Sequence, residues 1–532
     1  RMSEKQAAAL RNDPNVVAVE KDEAMRLDTS TTHRFLGLSN AGGLWDQLGG
    51  GNNQTNGPGE NMVVAIIDSG IQPDHPSFKG TNDQGAPIYP PLADHSGTCQ
   101  ATSTDNSWNA SMCNGKIVSA RKYNAGHGGD AAVAQKFPWE FLSPRDFDGH
   151  GSHVASTAAG NFGVTPNNHL AALGPMSGMA PRARIAVYKV CWETMDPASG
   201  GCFSNDSLAA MDQATADGVD ALNFSISGNA TNFNQMTEVG MRNAAAAGVF
   251  VATSAGNDGP GASTVAKPGP WNINVANGQH DRLQASRLTL GNGQTYDGVS
   301  TTTSAAGPAP LIRSADAGAA TAPTADSVAL CFSKTWNNGP ASLDPAKVTG
   351  KIVVCDRGTN DRVDKSKAVQ EAGGIGMVLV NVTSNTLNAD THSVPTVHLD
   401  HTTRTPIHTY AQTANATATI SASFLTTTPA PITASGSSRG PSLAAGGDIL
   451  KPDMMAPGTD ILAAVAPPGN GNQSFALYSG TSMASPHVAG IGMLLKQQHP
   501  NWSPMMIKSA LMTTGYDVLD PSLTVANRIF RQ

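Results

Sequence analysis

The 532-residue chain predicts an α/β fold, a doubly wound, mainly parallel sheet with helices on both faces, plus an inserted β-rich domain. Three observations carry this expectation. Runs that are apolar throughout, such as residues 62–67, alternate with Ala-rich helical stretches, as strands buried on both faces require. Between about residues 308 and 428 that pattern gives way to Thr, Ala and Asn, with few long helices. It returns at residues 485–497, a strong Ala/Gly/Leu helix, so one larger domain is split by another.

Taken in order, residues 1–28 are charge-rich and read as a helix over 3–11, a turn at 12–14 and a strand over 16–20. Strands are expected at 63–67, 184–190, 219–224 and 249–252. Helices are expected at 153–159, 207–217 and 236–247. Within the insertion, strands over 351–354 and 376–380 flank a helix at 364–372. The Ala/Gly/Pro tract 305–323 reads as a linker or surface loop. Crossovers between the parallel strands should be right-handed.

Composition narrows the function. Charged residues are 14%, against roughly 25% in an average globular chain, and hydrophobic residues are 39%, too many for a disordered polyelectrolyte. A net charge of −7 argues against a nucleic-acid partner, which usually faces a basic stripe. No apolar run approaches the roughly 18 residues that cross a bilayer, so no membrane partner is expected. No basic-then-apolar leader precedes the globular sequence, so a signal peptide, if the gene has one, is expected to lie outside this chain. Six cysteines leave two readings, free thiols or disulfides; low charge and Ser/Thr/Asn/Gly richness favour disulfides in a secreted, extracellular protein. Of the 15 connectivities, proximity favours Cys99–Cys113, Cys191–Cys202 and Cys331–Cys355. None sits in a zinc-ligand spacing.

Four residues carry chemistry as a set. Asp68 ends the strand over 62–67, where open parallel sheets build their sites; alone, it would read as a turn or cap residue. His153 lies in Asp148-Gly-His-Gly-Ser-His-Val-Ala, with no acidic third ligand to make a metal site. Ser482 lies in a small-residue run, 480–490, that turns into a helix and sets its hydroxyl at the N-terminus. Asn257 follows Gly256 at a strand end, where a turn residue is the ordinary reading. A serine nucleophile needs a base, the base an orienting carboxylate, and the oxyanion a donor. These four residues supply one group for each role.

The motifs around them, Ala65-Ile-Ile-Asp-Ser-Gly-Ile71, Gly149-His-Gly-Ser-His-Val-Ala155, Ser254-Ala-Gly-Asn-Asp-Gly259 and Gly480-Thr-Ser-Met-Ala-Ser-Pro-His-Val-Ala-Gly490, resemble those of the subtilisin-like serine proteases (subtilases, peptidase family S8). The order Asp, His, Ser matches that family and not the chymotrypsin order or the G-x-S-x-G elbow. Ser152 stands where the family more often has Thr. The resemblance implies a secreted endopeptidase acting through an acyl-enzyme, with Asp68 orienting, His153 the base, Ser482 the nucleophile, and Asn257 the oxyanion donor. A non-catalytic binding protein on the same scaffold, or another acyl transfer such as peptide ligation, are the alternatives.

It further implies that Ser225, Ile226 and Ser227 pair with an extended peptide. Ser254, Ala255 and Gly256 would wall the first specificity pocket. Residues 350–380 look like part of a protease-associated domain spanning 308–428, which would divide a catalytic domain of 29–307 and 429–532. Residues 1–28 look like the tail of an inhibitory propeptide, cleaved near Asp28–Thr29. Because relatives of this layout carry a longer propeptide and a further β-domain, the chain is expected to be a fragment. Expected partners are protein and peptide substrates and the chain's own propeptide as inhibitor. No cofactor is expected; structural calcium is possible, but no D-x-[DN]-x-[DN]-G loop indicates it. Sequons at Asn109 and Asn381 are candidate glycosylation sites.

Overall fold

A strand buried on both faces must be apolar at odd and even positions alike, and β1 (Val63–Asp68) shows the consequence. Val64 and Ile66 enter one core with Val154, Ala155 and Val488, while Val63, Ala65 and Ile67 enter a second with Ala210, Met211 and Met241. The structure, a computed structural model, describes residues 32–52, 55–192, 201–226 and 228–519 and the strand Ile529–Phe530. The helix and strand expected within residues 3–20, the cleavage point near Asp28–Thr29 and Ser227 lie outside the described residues.

Six parallel strands form the sheet: β1, β2 (Ile117–Lys122), β3 (Arg184–Lys189), β4 (Ala221–Phe224), β5 (Phe250–Ser254) and β6 (Ile273–Gln279), in the order β6-β5-β4-β1-β3-β2. Ile432–Thr433 adds to β6 antiparallel and Met454–Pro457 adds parallel. Helices α1 (His150–Ala159) and α4 (Thr481–Gln498) cover one face, and α2 (Ser204–Asp217) and α3 (Met236–Ala246) the other. α1 and α4 approach closely: a Cβ on Gly490 would stand 2.7 Å from the Ala158 carbonyl oxygen. The strands β2 and β6 escape the sequence reading, because Ser119, Arg121 and Lys122 in one and Asn274, Asn277 and Gly278 in the other interrupt the apolar run.

A second, mixed eight-stranded sheet runs from Arg282–Leu290 to Phe424–Thr427. It therefore begins before residue 308. The first part of the tract 305–323, expected as a linker or surface loop, is an interior strand, Ala306–Arg313, parallel to Ile352–Asp356 and antiparallel to Thr417–Ile420. Its small residues resemble low complexity in composition, yet Ala306, Ala309 and Leu311 are buried in one core with Ile407. The three disulfides join Cys99 to Cys113, Cys191 to Cys202 and Cys331 to Cys355, the pairings proximity favours. Asn381 is fully buried and bonded to Asn385 and His398, so that sequon is closed to a glycan in the folded chain. Among the described residues, no helix is long and apolar enough to cross a membrane.

Candidate active site

The carboxyl ends of the parallel strands converge on one rim. β1 delivers Asp68, 2% exposed, whose Oδ1 accepts from the Ser69 N–H at 2.8 Å. The imidazole on that carboxylate belongs to His150: its Nδ1 stands 2.7 Å from Asp68 Oδ1, and its side chain is 29% exposed. Burial works against charge on this ring, but the Asp68 carboxylate, by charge and hydrogen bond, prevails and raises the imidazolium to about 9. Asp148, beside it, is pushed up to about 6 by burial and by the Asp146 charge.

His153, expected as the partner of Asp68, is not there. It lies one turn deeper in α1, fully buried, with its ring stacked on Tyr478 at 4.6 Å and Nε2–H donating to the Ile461 carbonyl at 2.8 Å. Burial drives its pKa down to about 3, so it is a neutral core residue. The physical reason is helix position. His150 is the first residue of α1, after Gly149 in the left-handed region (φ 106), and opens onto the rim; His153 precedes Val154 and Ala155 on the packed side.

A carboxylate that the sequence reading misses fixes that helix start. Asp146 is fully buried and accepts from the N–H groups of Gly149 and Ser152, each at 2.9 Å, and from the hydroxyls of Ser152 at 2.6 Å and Ser69 at 3.0 Å. Ser69 Oγ in turn accepts from the Gly151 N–H at 2.8 Å. Asp146 thus caps α1 and ties it to the turn after Asp68. Gly151 has to be small there, since a Cβ would stand 2.3 Å from the Gly70 carbonyl. An acidic residue four positions before a histidine that starts a helix is the signal that was present in the sequence.

Ser482 is the second residue of α4. Its hydroxyl donates to the Ser225 carbonyl at 3.1 Å, and its own carbonyl accepts from Ser225 Oγ at 2.9 Å, so the chain just beyond β4 holds the start of α4. Asn257 is exposed beyond β5. Its Oδ1 accepts from the Thr481 N–H and hydroxyl, both at 3.0 Å, which leaves Nδ2 as the donor end. Gly256 N–H donates to Thr481 Oγ1 at 3.2 Å. The structure thus brings Ser225 and Asn257 against the Gly480–Ser482 turn, pairs Asp68 with His150, and sets Ser254, Ala255 and Gly256 at the end of β5.

A hydroxyl at a helix N-terminus, an amide and a carboxylate-bound imidazole thus lie on an open α/β sheet and the helices it carries. The model of the subtilase family matches residues 59–528. The chain belongs to the subtilase family. Subtilisin-like protease SBT1.4 of Arabidopsis thaliana is 38% identical over 543 residues, covering 97% of this chain and 64% of that protein. Subtilisin-like protease SBT5.3 of the same plant is 40% identical over 526 residues, covering 94% and 64%. The chain thus spans a little under two thirds of the length of these relatives. Among solved structures, the psychrophilic subtilisin-like protease Apa1 from the Antarctic psychrotroph Pseudoalteromonas sp. AS-11 aligns with a TM-score of 0.41 at 18% identity, over 95% of this chain and 94% of that one.

Proposed function

We propose that this chain is a serine endopeptidase in which Asp68, His150 and Ser482 form the catalytic triad. The observation that carries the reading is the 2.7 Å contact between His150 Nδ1 and Asp68 Oδ1 on the rim where Ser482 starts its helix. With Nδ1 held by the carboxylate, Nε2 is the nitrogen free to act as base. His150, not His153, takes that role. Ser482 Oγ leaves the Ser225 carbonyl by rotation about χ1, passes its proton to His150 Nε2 and attacks the scissile carbonyl. Asn257 Nδ2 and the Ser482 N–H receive the oxyanion. The imidazolium then gives its proton to the leaving amine, and water, activated by the same base, releases the acyl group from Ser482.

Extended substrate would pair with the backbone at Ser225 and Ile226, with Ser254, Ala255 and Gly256 across the cleft. The three disulfides support an oxidising, extracellular location. The sheet over residues 282–427 would be the protease-associated insertion, and residues 1–28 the inhibitory propeptide's tail. A serine-directed fluorophosphonate should label the purified full-length precursor, and Ser482→Ala should abolish the labelling together with casein hydrolysis; labelling that survives the substitution would sink the assignment. Mass spectra of the casein products distinguish internal cleavage from trimming at chain ends.

A further inference from the structure

Between the ends of β4 and β5 lies a slot, and a lysine closes it. In a strand, the N–H and C=O of one residue point to the same neighbour, and those of the next residue to the other side. Ala255 donates its N–H to Val275 of β6 and accepts on its carbonyl from the Ala266 N–H, so it faces the β6 side. The Ser254 carbonyl therefore faces the β4 side, where the chain leads on to Ser225 and Ile226. Lys267 occupies this position. Its Nζ donates to the Ser254 carbonyl at 2.6 Å and to Ser254 Oγ at 2.9 Å, and lies 5.9 Å from the Phe224 ring centroid. Its stem runs under Gly228, where a Cβ would stand 2.7 Å from Lys267 Cγ. Its own N–H donates to the Asn229 carbonyl at 3.0 Å, and φ is 55°, a region that non-glycine residues seldom adopt. Lys267 thus spans both walls of the slot.

A buried charge ordinarily has a counter-charge. Lys267 is 1% exposed and, among the described residues, forms no ion pair within 4.0 Å; both acceptors of its Nζ are neutral. The nearest influence of opposite sign is Glu238, whose own carboxyl burial pushes up to about 7, so it is a weak counter-ion at neutral pH. Burial pushes Lys267 itself down to about 7, so at neutral pH the floor of the slot is only partly cationic, and an anion placed beside it would hold it charged.

We propose that Lys267 floors the pocket for the residue on the N-terminal side of the scissile bond and makes it select an acidic side chain. A carboxylate there supplies the missing counter-charge, a lysine or arginine is repelled, and a large aromatic ring finds the slot already occupied. This rests on the catalytic reading above, and the test separates the two. Peptides identical except for Asp, Asn or Lys at that position are compared on the processed full-length enzyme, with rates normalised to sites counted by fluorophosphonate. A charge-assisted hydrogen bond predicts a kcat/KM for Asp about 10- to 100-fold above that for Asn, with Lys lowest. Lys267→Met should bring the Asp/Asn ratio close to 1, and Lys267→Arg should keep it above 1. A wild-type ratio at or below 1, or a ratio unchanged in Lys267→Met, overturns the proposal while labelling leaves the catalytic reading intact. An enzyme that neither labels nor cleaves any of the three peptides overturns both.

Discussion

Two histidines three residues apart on one helix are driven in opposite directions. His150, at the mouth of α1, meets a carboxylate at 2.7 Å and holds its proton up to about 9; His153, one turn deeper, meets a carbonyl and a tyrosine face and is neutral down to about 3. Their intrinsic chemistry is the same, so the difference is entirely environmental. An imidazole becomes a base when an anion orients it and one nitrogen faces the cleft. It becomes a piece of core when its hydrogen bond ends on a backbone carbonyl and its face on an aromatic ring.

The comparison breaks most visibly at activity. His150→Ala should lower kcat on the order of 10⁶-fold, the size that removal of the base has in subtilisin. His153→Phe should leave the activity of each folded molecule close to wild type, because His153 touches neither Asp68 nor Ser482. The check is kcat with active-site titration on both variants. A His150→Ala enzyme of near-wild-type kcat, or a well-folded but dead His153→Phe enzyme, would return the base to the deeper residue.

How much of this the sequence made legible depended on the range of the forces involved. β1, β3, β4 and α3 were readable because burial on both faces writes itself as apolar runs and helical periodicity. The placement of Asp68 at a strand end, Ser482 at a helix start and Asn257 beyond a strand was readable because these are local features. The choice between His150 and His153 was not. Both sit in one glycine-rich motif, and what separates them is where the helix begins, a matter of ±2–4 residues from sequence alone. The interior strand Ala306–Arg313 was missed for a related reason: small residues around Gly307 and Pro308 look like a linker until the neighbouring strands supply partners. Lys267 carried no local signal, since it lies in an irregular segment and its role comes from Ser254, at the end of β5.

The pH profile sharpens the contrast. The Asp68 carboxylate outweighs burial and raises the His150 imidazolium, so the neutral base becomes scarce as pH falls below about 9. The acidic limb of kcat/KM should therefore have an apparent pKa well above the 6.5 of a free histidine, with activity climbing through neutral pH. Asp68→Asn removes the raising charge, and its residual activity should show the limb shifted to lower pH. A wild-type limb at or below 6.5 would mean that this carboxylate does not hold the imidazolium.

His153 should show itself in stability instead. His153→Phe keeps a ring against Tyr478 but leaves the buried Ile461 carbonyl without its donor, a loss of about 1–3 kcal/mol near pH 7. The sign of the pH dependence follows from the depressed value. The unfolded chain takes up a proton at this histidine below about 6.5, and the folded chain does so only near 3, so wild type loses stability from this group as pH falls through that window. Phenylalanine has no proton to take up, and the gap between the two proteins should narrow on acidification from pH 7 to pH 4. Urea midpoints for both across that range measure it directly. A gap that stays constant would mean that His153 takes up its proton in the fold at the same pH as in the unfolded chain, and that burial does not depress it.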